Sequence, residues 1–88
     1  MSRYQLRFSR PAMRDLERLR RGVVVYDAIW DALTSLADDP RPRQSKRLRG
    51  RAGQRTRRVG DYRIVYIIDD DARLVTIIGT RHRKDAYR

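Results

Sequence analysis

The sequence predicts a small α+β domain, built from an N-terminal strand, an αα-hairpin and then an antiparallel sheet with the helices on one face. Apolar residues alternate with polar ones near the N-terminus, and the second half of the chain contains apolar runs bounded by turn residues, both of which are typical of strands. Between them, apolar residues recur every three or four positions, which is the spacing of helices. A length of 88 residues provides for one core, so we expect residues 1–88 to form a single domain.

The first half of the chain divides into one strand and two helices. Residues 4–8 alternate between apolar and polar side chains and predict the first strand. Ser9 followed by Pro11 is typical of a helix N-terminus, and Gly22 is expected to end that helix. A second helix is predicted from about residue 23 to residue 38, before a proline.

The second half is predicted to contain a loop and three strands. Residues 41–54 are rich in proline, glycine and arginine and are expected to be a loop with little regular structure. Strands are predicted at 54–59, 61–68 and 73–80, and the last two form an antiparallel hairpin. The strand 61–68 is apolar on both faces, which is typical of a central strand. The polar residues 81–88 are expected to form a short helical turn.

The composition excludes several classes of protein and site. The absence of cysteine excludes disulfides and cysteine metal sites, and a single histidine argues against a zinc site. We therefore expect no metal and no cofactor. No apolar run reaches about 18 residues, and the N-terminus has no apolar signal segment. These features predict a cytoplasmic protein without a membrane partner.

The positive charge is concentrated in one segment. Of the formal net charge of +11, residues 41–58 carry +9, with no acidic residue among them. Surfaces without a ligand usually mix both signs of charge. The segment therefore favours a nucleic acid or an acidic protein as partner over a passive basic loop.

Two arginines stand out because they accompany the apolar strands. Arg63 lies in the middle of one strand, and Arg81 follows the next, so we expect them to lie close together. By simple alternation Arg81 shares a side of its strand with Val75. An unpaired buried charge is costly, so Arg63 requires either an ion pair, to Asp61 or Asp85, or a phosphate ligand that its planar fork suits. Spacing alone leaves both interpretations open.

Two stretches of the chain resemble the RelE branch of the RelE/ParE-superfamily toxins. They are residues 58–66 (RVGDYRIVY) and 77–87 (IIGTRHRKDAY), which combine G-x-Y-R-x-x-Y with R-x-R-x-x-x-Y. Residues 46–50 resemble the K-x-L-x-G approach to the next strand. The first-helix pattern is matched by Ser9, Ala12, Asp15, Leu16 and Leu19. The resemblance covers essentially the whole chain.

The resemblance implies a toxin that cuts mRNA in the ribosomal A site without a metal. The 2′-hydroxyl of the substrate attacks the adjacent phosphorus, giving a 2′,3′-cyclic phosphate and a 5′-hydroxyl. Arg63 and Arg81 match family arginines that act on the scissile phosphate or the leaving group, and Tyr87 matches the tyrosine that orients the 2′-hydroxyl or stacks on a base. The basic residues expected to contact RNA are Lys46, Arg47, Arg49, Arg51, Arg55, Arg57, Arg58 and Arg83.

The chain departs from the family at Gln54 and Thr56, where the member best known for this activity has lysines. Arginine keeps its proton near neutral pH and is a poor general base, although it stabilises negative charge. This departure lowers the expected catalytic power. The resemblance also implies an antitoxin partner, with an acidic wrapping segment as the match for the basic chain. Ribosome and mRNA are the other expected partners, and DNA is contacted only through the antitoxin complex.

Two alternative functions remain open at this point. One is a ParE-like inhibitor of DNA gyrase without RNase activity, and the other is a weakened toxin that serves as a co-repressor with its antitoxin.

Three further side chains are given structural interpretations. His82 is expected to be a surface residue that points away from Arg81, and Trp30 and Tyr26 to pack against the helices instead of stacking on bases.

Overall fold

The computed structural model describes residues 3–21 and 25–82 of the chain. The elements run in the order β1 (Gln5–Phe8), α1 (Arg10–Leu19), α2 (Tyr26–Asp38), β2 (Ser45–Arg47), β3 (Gln54–Val59), β4 (Tyr62–Asp69) and β5 (Leu74–His82). No helix within these ranges has the length and apolar character needed to cross a membrane. The predicted helix end at Gly22, the C-terminal turn from residue 83 onward, and the side chains of Arg83 and Tyr87 lie outside the described residues.

The five strands form one sheet in the order β1-β5-β4-β3-β2. The pairs β2–β3, β3–β4 and β4–β5 are antiparallel, as predicted. The predicted antiparallel sheet is thus confirmed for β3 to β5, and β1, whose partner was not predicted, pairs with β5 in parallel. These two strands lie at opposite ends of the chain, and the long connection between them permits parallel pairing, which a short hairpin does not.

The predicted loop at 41–54 contains one short strand. β2 pairs with β3 through Ser45–Arg57, Lys46–Thr56 and Arg47–Arg55. Its sequence, SKR, has no apolar residue, so alternation of hydrophobicity gives no signal for it. The chain reverses direction after β2 through Gly50 and Gly53, whose φ angles of 74° and 77° favour glycine.

The helix signals are confirmed at their centres. Ser9 is the N-cap of α1, and its Oγ accepts a hydrogen bond from the backbone N–H of Ala12 at 3.2 Å, with Pro11 in the first turn. The described part of the second helix begins at Tyr26, later than the predicted start at about residue 23. The last residues of β5 correct another expectation, since Arg81 and His82 extend the strand instead of beginning a turn.

Both helices pack on one face of the sheet and enclose a single core. Its buried residues are Ala12, Leu16, Leu19, Ile29, Ala32, Leu33, Leu36, Ile64, Tyr66, Val75 and Ile77. Trp30 packs against Phe8 and Tyr26, with ring centroids 5.7 and 6.4 Å away. This confirms the packing interpretation of both helical aromatic residues.

Asp70, in the turn between β4 and β5, joins three parts of the fold. Its carboxylate accepts hydrogen bonds from Arg41 Nη1 and Nη2 at 3.1 and 2.9 Å, and from the Tyr4 hydroxyl at 2.5 Å. The Arg41 guanidinium, with help from Tyr4, lowers the pKa of Asp70 to about 2. The first arginine of the basic segment is therefore tied to the sheet.

We expect Asp70→Asn to flatten the loss of stability in acid. Because the folded-state pKa is depressed, the interaction stabilises the fold above about pH 4 and is lost as the pH falls toward about 2. The measurement is the urea midpoint of parent and variant across this range, with Asp71→Asn, an exposed neighbour, as the control. The parent should lose more stability than the Asp70 variant between these pH values. If the urea midpoints of the parent and the Asp70 variant fall equally as the pH is lowered, the role of this carboxylate is contradicted.

Candidate active site

The sheet has two faces of different character. α1 and α2 cover the face to which Ile64 and Tyr66 point, and both side chains are fully buried there. We call this the helix face. Alternation along β4 turns Arg63, Val65 and Ile67 to the opposite side, which we call the open face.

Arg63 and Arg81 lie directly opposite each other on β4 and β5. Opposed residues of an antiparallel pair share a face, with Cβ atoms about 4.5–5.5 Å apart. The predicted proximity is therefore confirmed. Two like charges in this position repel each other. Within residues 3–21 and 25–82 neither arginine forms an ion pair, so the ion pair to Asp61, one of the two interpretations that spacing left open, is not formed. Asp85 lies outside the described residues.

A bulge in β5 decides the face on which Arg81 lies. Val65 pairs with Gly79 and Tyr66 pairs with Ile77, so Ile78 is an extra residue in β5. Simple alternation, which placed Arg81 on the side of Val75, is therefore wrong beyond this point. The extra residue turns Arg81 away from the core and onto the open face.

The arginine row continues onto β3. Arg58 lies opposite Arg63, so three guanidinium groups follow one another across β3, β4 and β5. Lys46 pairs with Thr56, which in turn pairs with Val65 on the open face. The open face thus combines Arg58, Arg63 and Arg81 with Lys46 at its far edge.

Gln54 and Thr56 lie on the same face as this row. Gln54 pairs with Ile67, and Thr56 pairs with Val65 and is only 4% exposed. Neither side chain has a basic group, so the departures from the family pattern lie beside the arginines. Positive charge there comes from β2 and from the arginine row.

Other basic residues of segment 41–58 face the opposite way. Arg55 and Arg57 pair with Tyr66 and Ile64, and Arg47 pairs with Arg55, which places all three on the helix face. Arg55 Nη2 donates to Ser45 Oγ at 3.0 Å, while the buried Nε atoms of Arg55 and Arg57 have no hydrogen-bond partner in the described part of the chain.

A cavity of about 690 Å³ opens between Ile68 and the loop that joins β2 to β3, and its cationic lining residues are Arg41, Arg47, Arg51 and Arg55. Arg49 is exposed in the same loop. The structure therefore divides the residues predicted to contact RNA between two surfaces.

His82 lies on the helix face, away from Arg81 as expected. It is opposite Tyr62, and the two rings meet edge to face with centroids 5.0 Å apart. The side chain is partly buried instead of fully exposed, because the bulge that turns Arg81 outward turns His82 inward. The open face therefore lacks the imidazole.

A family model described as "ParE toxin of type II toxin-antitoxin system, parDE" matches residues 6–87. The chain belongs to this toxin family. It is also 37% identical over 86 residues to Toxin RelG of Mycobacterium tuberculosis, covering 97% of both chains. The toxin resemblance and the predicted RelE-like fold are thereby confirmed.

Solved structures of this family of toxins share the fold. The crystal structure of the toxin–antitoxin complex RelBE2 from Mycobacterium tuberculosis matches with a TM-score of 0.80 and 35% identity, covering 94% of each chain. The isolated E. coli RelE toxin matches with a TM-score of 0.75 and 25% identity, covering 90% of this chain and 83% of that one.

Proposed function

We propose that this toxin is a ribosome-dependent, metal-independent endoribonuclease that cuts mRNA and so inhibits translation. The observation that carries the proposal is the opposition of Arg63 and Arg81 on the open face, with no carboxylate bound to either among the described residues. Two guanidinium groups on opposed residues of neighbouring strands form a site for a phosphate, which accepts bidentate hydrogen bonds.

The chemistry follows from what arginine is able to do. The 2′-hydroxyl of the RNA gives its proton to solvent as its oxygen forms a bond to phosphorus, and the bond from phosphorus to the 5′-oxygen breaks as that oxygen takes up a proton from solvent. Negative charge builds up on the phosphoryl oxygens during this step, where Arg63 and Arg81 stabilise it. Because arginine keeps its proton, the pair supplies charge stabilisation and not proton abstraction. Tyr87, on the family resemblance, orients the attacking hydroxyl.

The relatives support an RNase and also keep an alternative in view. Identities of 35–37% to proteins named RelG and RelBE2 favour the RelE type of activity. The alternative is a ParE-like inhibitor of DNA gyrase, which is favoured by the description of the matching family model and by Gln54 and Thr56 on the open face.

The proposed partners are a cognate antitoxin, the ribosome and mRNA, which place the toxin in the cytoplasm. RelBE2 and other solved relatives are toxin–antitoxin complexes. An acidic antitoxin segment matches the net charge of +11, and DNA is contacted only through that complex.

Primer extension on a reporter mRNA, after induction of the toxin, tests this function. We expect cuts in phase with codons and confined to translated regions. Cuts in untranslated RNA would contradict ribosome dependence. DNA breaks with a damage response, in the absence of RNA cuts, would favour the gyrase alternative.

Binding to ribosomes should weaken strongly with salt. If about six phosphates are contacted, the slope of log K against log salt is about −4 for single-stranded RNA. Replacing Arg47, Arg49 and Arg51 together with alanine should flatten this slope. The control, with Arg14, Arg20 and Arg21 replaced on the α1 side, removes the same charge outside the basic segment and should keep the parent slope. Equal slopes in the two triple variants would place the RNA contact elsewhere.

A further inference from the structure

The open-face position of Arg81 depends on one extra residue in β5. Without Ile78 as a bulge, regular pairing beyond Tyr66–Ile77 would place Thr80 opposite Arg63 and Arg81 opposite Tyr62. Tyr62 packs against the core, so Arg81 would then lie on the helix face. The pair that carries the proposed function exists only while the bulge is held.

Ser9 and α1 form hydrogen bonds to the backbone of β5 before, at and after the bulge. Ser9, the N-cap, donates from its Oγ to the carbonyl oxygen of Ile78 at 2.8 Å and from its backbone N–H to that of Ile77 at 3.0 Å. Asp15, further along α1, accepts a hydrogen bond at Oδ2 from the backbone N–H of Thr80 at 3.0 Å. The bond from Ser9 to Ile77 continues the pairing of β1 with β5, whereas the Ile78 carbonyl and the Thr80 N–H are paired with side chains of the N-cap and α1.

Gly79 lets the carboxylate come this close. A Cβ atom at position 79 would lie 3.0 Å from Asp15 Oδ2, which is tighter than ordinary contact. Thr80 is only 6% exposed, so water does not readily replace the carboxylate as partner of its N–H. The glycine, the carboxylate and the bulge form one unit, two residues before the arginine that it orients.

We propose that Asp15 and Ser9 are positioning residues for Arg81: they hold the bulge at Ile78 and thereby keep Arg81 opposite Arg63. The catalytic consequence rests on the proposed function, while the structural consequence does not. Asp15 acts through the backbone of β5 and lies on the helix face, so it makes no contact with RNA bound on the open face.

The test measures single-turnover cleavage of mRNA on programmed ribosomes at saturating toxin. We expect Asp15→Ala to lower the rate by about 10- to 100-fold with unchanged ribosome affinity, since small misplacements of a catalytic group cost rates of this order. The matched control is Arg18→Ala, which removes the other partner of Asp15 and leaves the bond to Thr80 in place. Its rate should stay within about twofold of the parent.

A double-mutant cycle separates positioning from general structural damage. In an Arg81→Ala background, Asp15→Ala should lower the rate no further, because the group it positions is already absent. An equal loss in both backgrounds would overturn the proposal. If Asp15→Ala does not fold, Gly79→Ala takes its place, since the added Cβ, 3.0 Å from Asp15 Oδ2, requires the carboxylate to shift by a few tenths of an ångström with Asp15 intact.

NMR tests the same inference independently of any RNA cleavage. In the parent, contacts between β4 and β5 should pair residue 63 with residue 81, and Asp15→Ala should weaken these contacts and shift the Thr80 amide proton. A toxin that cuts no RNA but loses the 63–81 contacts in Asp15→Ala would refute the proposed function and keep the positioning role. Unchanged contacts in folded Asp15→Ala and Gly79→Ala would overturn the positioning role.

Discussion

Arg63→Ala and Arg81→Ala should each lower the rate of cleavage of ribosome-bound mRNA by about 10²–10³-fold, the usual cost of removing one preorganised donor. In the proposed mechanism both guanidinium groups act on charge that develops only in the transition state. We therefore expect the loss in the single-turnover rate and not in ribosome affinity, together with a loss of growth inhibition. The fold should persist, because neither side chain belongs to the core cluster.

A lysine variant tests whether the planar geometry of the guanidinium group is required. Arg63→Lys should recover little activity, since an ammonium group does not reproduce the bidentate contact of a guanidinium. Arg14→Ala removes an exposed arginine from α1 on the other face of the sheet and is the charge-matched control. Circular dichroism confirms that each variant is folded.

Two results would change the assignment. If Arg63→Ala and Arg81→Ala cleave RNA like the parent while folded, the two arginines are not catalytic and the nuclease proposal fails. If they abolish toxicity while the parent itself cuts no RNA, the arginines become contacts to a protein target, as in the gyrase alternative. A rate loss confined to these variants supports the proposed function.

The fold was predictable where the core dictates the sequence. The continuous apolar run of β4 and the helical spacing of apolar residues in α2 are direct consequences of burial, so both elements were found from the apolar residues. β2 was missed because a polar edge strand buries nothing and has no such signal. The parallel pairing of β1 with β5 was missed because strand direction depends on the path of the intervening chain, which local spacing does not record.

The site was predictable only in part, for a similar reason. An arginine inside an apolar strand requires a reason, and Arg63 was singled out on this basis, whereas its proposed role came from the family resemblance. The face of Arg81 was not predictable from alternation, because it depends on a bulge that is held by Ser9 and Asp15, 69 and 65 residues away from their partners in β5. Gly79 directly precedes Thr80, whose backbone N–H donates to Asp15, and it is the nearby residue whose type reflects this arrangement.

Replacing Tyr66 with alanine should destabilise the fold more than any surface change. Tyr66 is the largest fully buried side chain among the described residues, and truncation of a buried aromatic residue costs about 3–5 kcal/mol. A chain of this size has about 4–13 kcal/mol of stability in total, so the variant should be largely unfolded in moderate urea. Met13→Ala, at a position that is 58% exposed, is the control and should change stability by no more than about 0.5 kcal/mol.

Tyr66→Phe isolates the contribution of the hydroxyl group. The Tyr66 hydroxyl donates to the carbonyl oxygen of Pro40 at 2.7 Å, and both residues are buried. Its loss leaves that oxygen unpaired, at a cost of about 1–3 kcal/mol. Urea unfolding followed by the fluorescence of Trp30 measures both variants. A cost below about 0.5 kcal/mol for Tyr66→Phe would mean that water replaces the hydroxyl at Pro40. The expected cost would show that this hydrogen bond holds the start of the basic segment against the core.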